Sequence, residues 1–149
     1  MVCRCVVDTV VLQSANASLA HEPKAGRKRR GRLRLLRTIS DGMLVVLYSQ
    51  RLIAEYRARV REPRNDHIRA FFELLTSERA VPNWASLTGS EHDVALKKCR
   101  FPQEDLHVLR TAYCGDETTI FTEEARMLRT DRCIHREFSV HVREPGDAV

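Results

Sequence analysis

The chain has 149 residues, 43% hydrophobic and 30% charged, with six glycines, five prolines and a formal net charge of +5. That is one domain's worth of chain (residues 1–149) with a core of its own, and it excludes disordered, fibrous and disulfide-scaffolded classes. The longest apolar run, Met43 to Tyr48, is far too short to span a bilayer. The apolar stretch bracketed by Arg4 and Asp8 is too short for a secretory signal, so a cytosolic protein with no membrane partner is expected.

In chain order, Arg4-Cys5-Val6-Val7-Asp8 reads as a short buried strand ending on an acid. Cys3 and Cys5, two residues apart, share one side of it and are expected in the core. Thr9 to Ala20, apolar and rich in small residues, reads as a helix start followed by a loop. His21 to Gly31 reads as a polar linker with Pro23, Gly26 and Gly31 as breakers. Within it begins a run of eight basic residues and no acid, from Lys24 to Arg37, so that a basic loop and helix start covers about 21–37 and the remainder is acidic on balance. Such a segment on a mildly acidic body is the electrostatic footprint of a polyanion binder; a solvated charged loop is the alternative.

From Arg32 the spacing of Leu33, Leu36 and Ile39 predicts a helix, stopped by Asp41-Gly42. Leu44 to Tyr48, continuously apolar, predicts a strand covered on both faces. Ser49 is placed to cap a helix over Gln50 to Arg61 with the stripe Leu52, Ile53, Tyr56 and Val60, ended by Pro63. Ile68, Phe71, Phe72, Leu74 and Leu75 mark another amphipathic helix, and Val81 to His92 reads as irregular. Pro102 precedes a helix from Gln103 to about Tyr113, broken by Gly115-Asp116. Thr118 to Phe121 is a third strand, Thr122 caps a short helix with Ala125, Met127 and Leu128, and Phe138 to Val142 is a last strand. Strands alternating with helices argue for an α/β fold with a mostly parallel sheet and helices on both faces.

Cys3, Cys5, Cys99, Cys114 and Cys133 are odd in number and lack paired spacing, so free thiols are expected. Cys133-x-His135, with His141 six residues on, is too sparse for a zinc motif and reads more simply as a buried thiol with surface histidines.

The acids carry the chemistry. In open α/β sheets, sites form beyond the carboxyl ends of strands. Asp8 ends the first strand, Glu124 follows the third, Asp105 lies in the first turn of the helix after Pro102, and Glu55 one turn into the helix after the second strand. Helix-start acids commonly only complement the helix dipole, which is the alternative for Asp105 and Glu124. Asp8, following Cys5-Val6-Val7, is half-buried on this reading and needs a partner. A hard cation is such a partner: Mg²⁺ suits several carboxylates with retained waters, one of which can attack a phosphodiester. The basic segment, with Arg27, Lys28, Arg29, Arg30 and Arg32, would hold the nucleic-acid backbone.

These residues resemble the PIN-domain family of nucleases. Val6-Val7-Asp8-Thr9-Val10-Val11-Leu12-Gln13-Ser14-Ala15 is similar to the family's opening Asp-Thr-Asn-Val-Leu-x-Ser-Ala. Arg34 to Gly42, Val45 to Ser49 and Leu52-Ile53-Ala54-Glu55-Tyr56 resemble its second block, with a Glu-Tyr pair. Asp105-Leu106-His107-Val108-Leu109-Arg110-Thr111-Ala112 resembles Asp-x-His-Val-Leu-x-x-Ala, and Ile120-Phe121-Thr122-Glu123-Glu124 with Met127-Leu128 resembles Ile-Val-Thr-x-Asp and an apolar pair. The four blocks come in order over nearly the whole chain and are most similar to PIN-family toxins of bacterial toxin–antitoxin pairs.

The resemblance implies a three-layer α/β/α sandwich, a Mg²⁺- or Mn²⁺-dependent endonuclease of single-stranded RNA, a homodimer and a protein antitoxin. On it, Asp8, Asp105 and Glu124 are metal ligands and Glu55 a ligand or supporting acid, with Thr122 and Glu104 beside them. Val10 stands where the family has asparagine, Glu124 where it has aspartate, and Phe101 and Gln103 where relatives often have acids. Val10 and Glu124 favour the competing expectation, a catalytically weak PIN-like domain that binds RNA or a protein partner. An acid at all four positions opposes it.

Overall fold

The computed structural model describes residues 3–17 and 26–148. Five strands, β1 (Cys3–Val7), β2 (Leu44–Tyr48), β3 (Val81–Pro82), β4 (Thr118–Phe121) and β5 (Val140–Arg143), form one sheet in the order β3-β2-β1-β4-β5. Every pairing is parallel: Cys3 faces Leu44, Val7 faces Phe121, Leu47 faces Val81, and Thr118 faces Val140. Central strands buried on both faces need no polar alternation, and Cys5, Val6 and Val7 are each fully buried. Cys3, by contrast, is exposed at the sheet's open end and not part of the core.

Among the described residues, eight helices connect the strands: α1 (Thr9–Ala15), α2 (Gly26–Ser40), α3 (Gln50–Arg59), α4 (Asp66–Leu75), α5 (Gly89–Asp93), α6 (Leu106–Ala112), α7 (Ala125–Leu128) and α8 (Asp131–Phe138). Parallel crossovers are right-handed. The chain runs from β1 outward to β3, then returns past β1 to β4 and β5, so the helices before β3 cover one face and those after it the other. The result is a three-layer α/β/α sandwich. On the first face α2 packs on β2 and α4; on the second, α6 crosses β1, β2 and β4. Leu35, Leu36 and Ile39 of α2 are buried, each contributing about 1.5–3 kcal/mol through its apolar burial.

Five local features differ from the sequence expectation. α2 starts at Gly26, so the stretch read as linker up to Gly31 is helical; His21, Pro23 and Lys24 lie outside the described residues. Gly31 does not break the helix but lets it approach the C-terminal turn Pro145–Asp147: a Cβ there would sit 2.9 Å from the Gly146 backbone. Val81–Pro82 within the irregular stretch pairs with β2 as an edge strand, where the missing proline N–H is tolerated. Asp131–Phe138 is a helix, with Ile134 and Phe138 buried one turn apart. It ends at Ser139 in the left-handed region (φ 58°), so the last strand starts at Val140 rather than Phe138. Cys99 and Cys133 form a disulfide, which ties the π turn Val94–Lys98 to α8 and leaves Cys3, Cys5 and Cys114 as free thiols.

Candidate functional site

The strand order reverses between β1 and β4, and the segments leaving their carboxyl ends are locked together. The Asp8 amide donates to the Phe121 carbonyl (2.9 Å), and the Thr122 amide to the Arg143 carbonyl (2.9 Å). Asp8 occupies the N-cap position of α1, yet its carboxylate does not cap the helix. It accepts instead from the fully buried Thr122 hydroxyl (2.7 Å), whose oxygen also accepts the Glu124 amide (3.1 Å). Thr122 therefore orients the Asp8 carboxylate and the Glu124 backbone together and is not the N-cap of α7. The residue at the N-cap of α7 is Glu124.

Glu55 reaches the same end of the sheet from α3, whose first turn is capped by the Ser49 hydroxyl accepting from the Leu52 amide (3.2 Å). Its neighbour Tyr56, fully buried, donates its hydroxyl to the Val7 carbonyl and fixes α3 to the end of β1. The Glu55 carboxylate lies 2.5 Å from His107 Nε2 on α6. Sequence reasoning assigned His107 no role; its appearance beside Asp105 in the third motif block was the available signal. Asp105 comes from a 3-10 turn, Gln103–Asp105, that leads into α6.

Glu104, Asp105 and Glu124 each present a carboxylate oxygen within 4.8 Å of the others. Glu104 is at the solvent rim, paired with Arg126 at 2.6 Å. Asp105 Oδ2 is buried and has no hydrogen-bond partner. Burial, then the charges of Glu124, Asp8, Glu104 and Glu55, push the Asp105 pKa up to about 7. Burial also raises Asp8, to about 6, against the opposing pull of the Thr122 hydrogen bond and with further upward contributions from Glu124 and Glu55. The tight group is Glu104, Asp105 and Glu124; Asp8 and Glu55 stand outside it, at the same end of the sheet and near enough for their charges to act on Asp105. Carboxyls this crowded either share protons or share a cation.

The basic segment behaves differently from a free loop. Arg27, Lys28, Arg30 and Arg34 of α2 line a groove of about 540 Å³ together with Glu123, Glu144 and Asp147. Arg29 is only partly exposed. Arg32, expected to hold nucleic acid, instead faces inward: its Nε and Nη2 donate to the two Glu123 oxygens at 2.6 and 2.7 Å, with both side chains about nine-tenths buried. A buried bidentate pair removes Arg32 from the solvent-facing set. Sequence reasoning gave Glu123 no role. The pair clamps α2 against the segment that carries Glu124, and Glu123 is the residue of that segment that lines the α2 groove.

No protein-family model, curated protein or solved structure matches the chain. The geometry of the cluster therefore bears the functional argument.

Proposed function

We propose that this protein is a divalent-metal-dependent endoribonuclease that cleaves single-stranded RNA. One observation carries the reading: Asp105 Oδ2 is buried without a partner amid Glu104, Glu124, Asp8 and Glu55. A hard dication with oxygen ligands satisfies that atom and neutralises the crowded charge, so the donor set fits Mg²⁺ or Mn²⁺. Asp8, Asp105 and Glu124 would hold it, with Glu104 at the rim. When bound, the ion supplies charge neutralisation at the phosphoryl oxygens and a water acidified for attack.

The chain's own residues do the rest. Thr122 holds the Asp8 carboxylate in one orientation, which lowers the cost of ordering it on binding. Glu55 Oε2 and His107 Nε2 lie within hydrogen-bond distance, which restrains the Glu55 side chain. Arg27, Lys28, Arg30 and Arg34 line the α2 groove with donors for a phosphate backbone. The resemblance to PIN-family toxins extends the proposal to a protein antitoxin, a homodimer and a cytosolic setting. Among the described residues no helix is long and apolar enough to cross a membrane.

A second reading has its own support. Val10, at the position where the PIN pattern has asparagine, packs against the hydrophobic core and offers Asp8 no polar group. A catalytically weak PIN-like domain that binds RNA or a protein partner would carry that feature.

Incubating single-stranded RNA with wild type and Asp8→Asn, in Mn²⁺ and in EDTA, separates the two. The nuclease reading expects product only from wild type with Mn²⁺. RNA binding without metal-dependent product from wild type would establish the binder.

A further inference from the structure

At the opposite end of β4 from the acidic cluster, three residues distant in sequence meet. Glu117 immediately precedes β4, His135 lies on α8, and His141 lies on the edge strand β5, paired with Thr119. His135 Nε2 is 2.9 and 3.1 Å from the two Glu117 oxygens, and His141 Nε2 is 3.5 Å from Oε2 of the same carboxylate. The two imidazoles are stacked, with centroids 3.7 Å apart and planes 14° from parallel. We propose that Glu117, His135 and His141 form a metal site for a transition-metal dication of the Zn²⁺ class, separate from the acidic cluster and independent of its function.

The geometry supports this in three ways. First, both histidines aim the same ring nitrogen at one carboxylate. On a tetrahedral ion with Zn–N near 2.0–2.1 Å, neighbouring ligand atoms are about 3.3 Å apart, and the 2.9–3.5 Å separations bracket that value. One ligand atom from each residue already lies within 4.8 Å of the others, so small side-chain rotations close the set.

Second, a carboxylate able to serve as outer partner to a ligating His141 stands close to its Nδ1. Its Nδ1 is 3.5 Å from Asp131 Oδ1, an oxygen held in place by the Val142 amide (2.8 Å). Donation of Nδ1–H to that carboxylate leaves the Nε2 lone pair for the ion. Arg143 Nη2, now 3.1 Å from Nδ1, has Asp131 Oδ2 beside its own Nε at 3.7 Å and can turn to it when the tautomer changes.

Third, the site is open. Glu117 and His141 line a groove of about 860 Å³ shared with Cys3, Arg4 and Asp116, which admits an ion and leaves its fourth position to water. The two sites also differ in chemistry and place. Imidazole with carboxylate selects Zn²⁺-class ions, while the all-oxygen cluster suits Mg²⁺ or Mn²⁺. Five residues of extended chain, about 17 Å, separate Glu117 from Thr122. A bound ion would tie α8 and β5 to the turn before β4.

The test uses the untagged full chain, titrated with Zn²⁺ by calorimetry and with Co²⁺ by visible absorption. The backgrounds are wild type, Asp8→Asn with Asp105→Asn, His135→Gln, His141→Gln and Glu117→Gln. The expected result is one equivalent bound by wild type, with Co²⁺ d–d bands of a nitrogen–oxygen site, and the same in the acidic-cluster variant. Each histidine variant should bind at least about tenfold more weakly, as should Glu117→Gln, which covers the case of a histidine variant that fails to fold. Binding that survives the histidine and Glu117 changes, disappears with the acidic-cluster variant, or is absent from wild type overturns the proposal.

Discussion

Replacing Asp8 by asparagine should stabilise the metal-free protein at neutral and alkaline pH. Burial and the neighbouring Glu124 and Glu55 raise the Asp8 pKa from an ordinary 3.8 to about 6, which at about 1.36 kcal/mol per pH unit corresponds to about 3 kcal/mol. Because the folded state holds this proton more tightly than the unfolded chain, its stabilising effect is complete below about pH 4. It is lost as pH rises through about 6. Asp105, raised to about 7, adds loss over the window from about 4 to 7, reduced by solvent screening because it is only half-buried. Asparagine keeps an oxygen to accept the Thr122 hydroxyl and cannot ionise.

In chelator, urea titrations should find Asp8→Asn more stable than wild type by about 3 kcal/mol near pH 8. The difference should shrink to about 1 kcal/mol or less near pH 4.5. Adding Mn²⁺ at about pH 8 should close most of that gap: an ion at a hundred times its Kd stabilises wild type by about 2.7 kcal/mol and the variant by much less. Equal stabilities of the two proteins at pH 8 in chelator, or equal gains with Mn²⁺, would refute the crowded-carboxylate reasoning.

Arg32→Ala should cost about 3–5 kcal/mol in urea unfolding, because it strands the buried Glu123 carboxylate. The Arg32→Ala, Glu123→Ala double variant should cost less than the sum of the singles. Changing Arg27, Arg30 and Arg34 to alanine should flatten the log–log salt dependence of RNA binding by about 0.7 for each phosphate no longer neutralised, leaving cleavage of saturating RNA intact. Thiol labelling under denaturing, non-reducing conditions should modify Cys3, Cys5 and Cys114 but not Cys99 or Cys133. Replacing that pair by serine should destabilise the fold by about 4 kcal/mol for a bridge between residues 34 apart in sequence.

The local grammar of the chain determined a good deal by itself. Apolar runs of strand length place β1, β2 and β4, the three-to-four spacing of Leu52 and Tyr56 or Ile68 and Phe71 places α3 and α4, and Ser49 marks where α3 begins. Because a parallel α/β chain gathers its strand ends on one side, the same local pattern puts Asp8 and Glu124 at neighbouring carboxyl ends. What stayed illegible depends on partners remote in sequence. Gly31 reads as a breaker until the Gly146 backbone is packed against it, and Val81–Pro82 as a loop until β2 offers it an edge. The charge of Arg32 points to solvent until Glu123 meets it across 91 positions. The Cys99–Cys133 bridge, the Glu55–His107 pair and the Glu117–His135–His141 cluster belong to the same class. Hydrophobic periodicity reports only which face of an element is buried; which side chain lies opposite is decided by the strand order and crossover handedness that bring distant segments together.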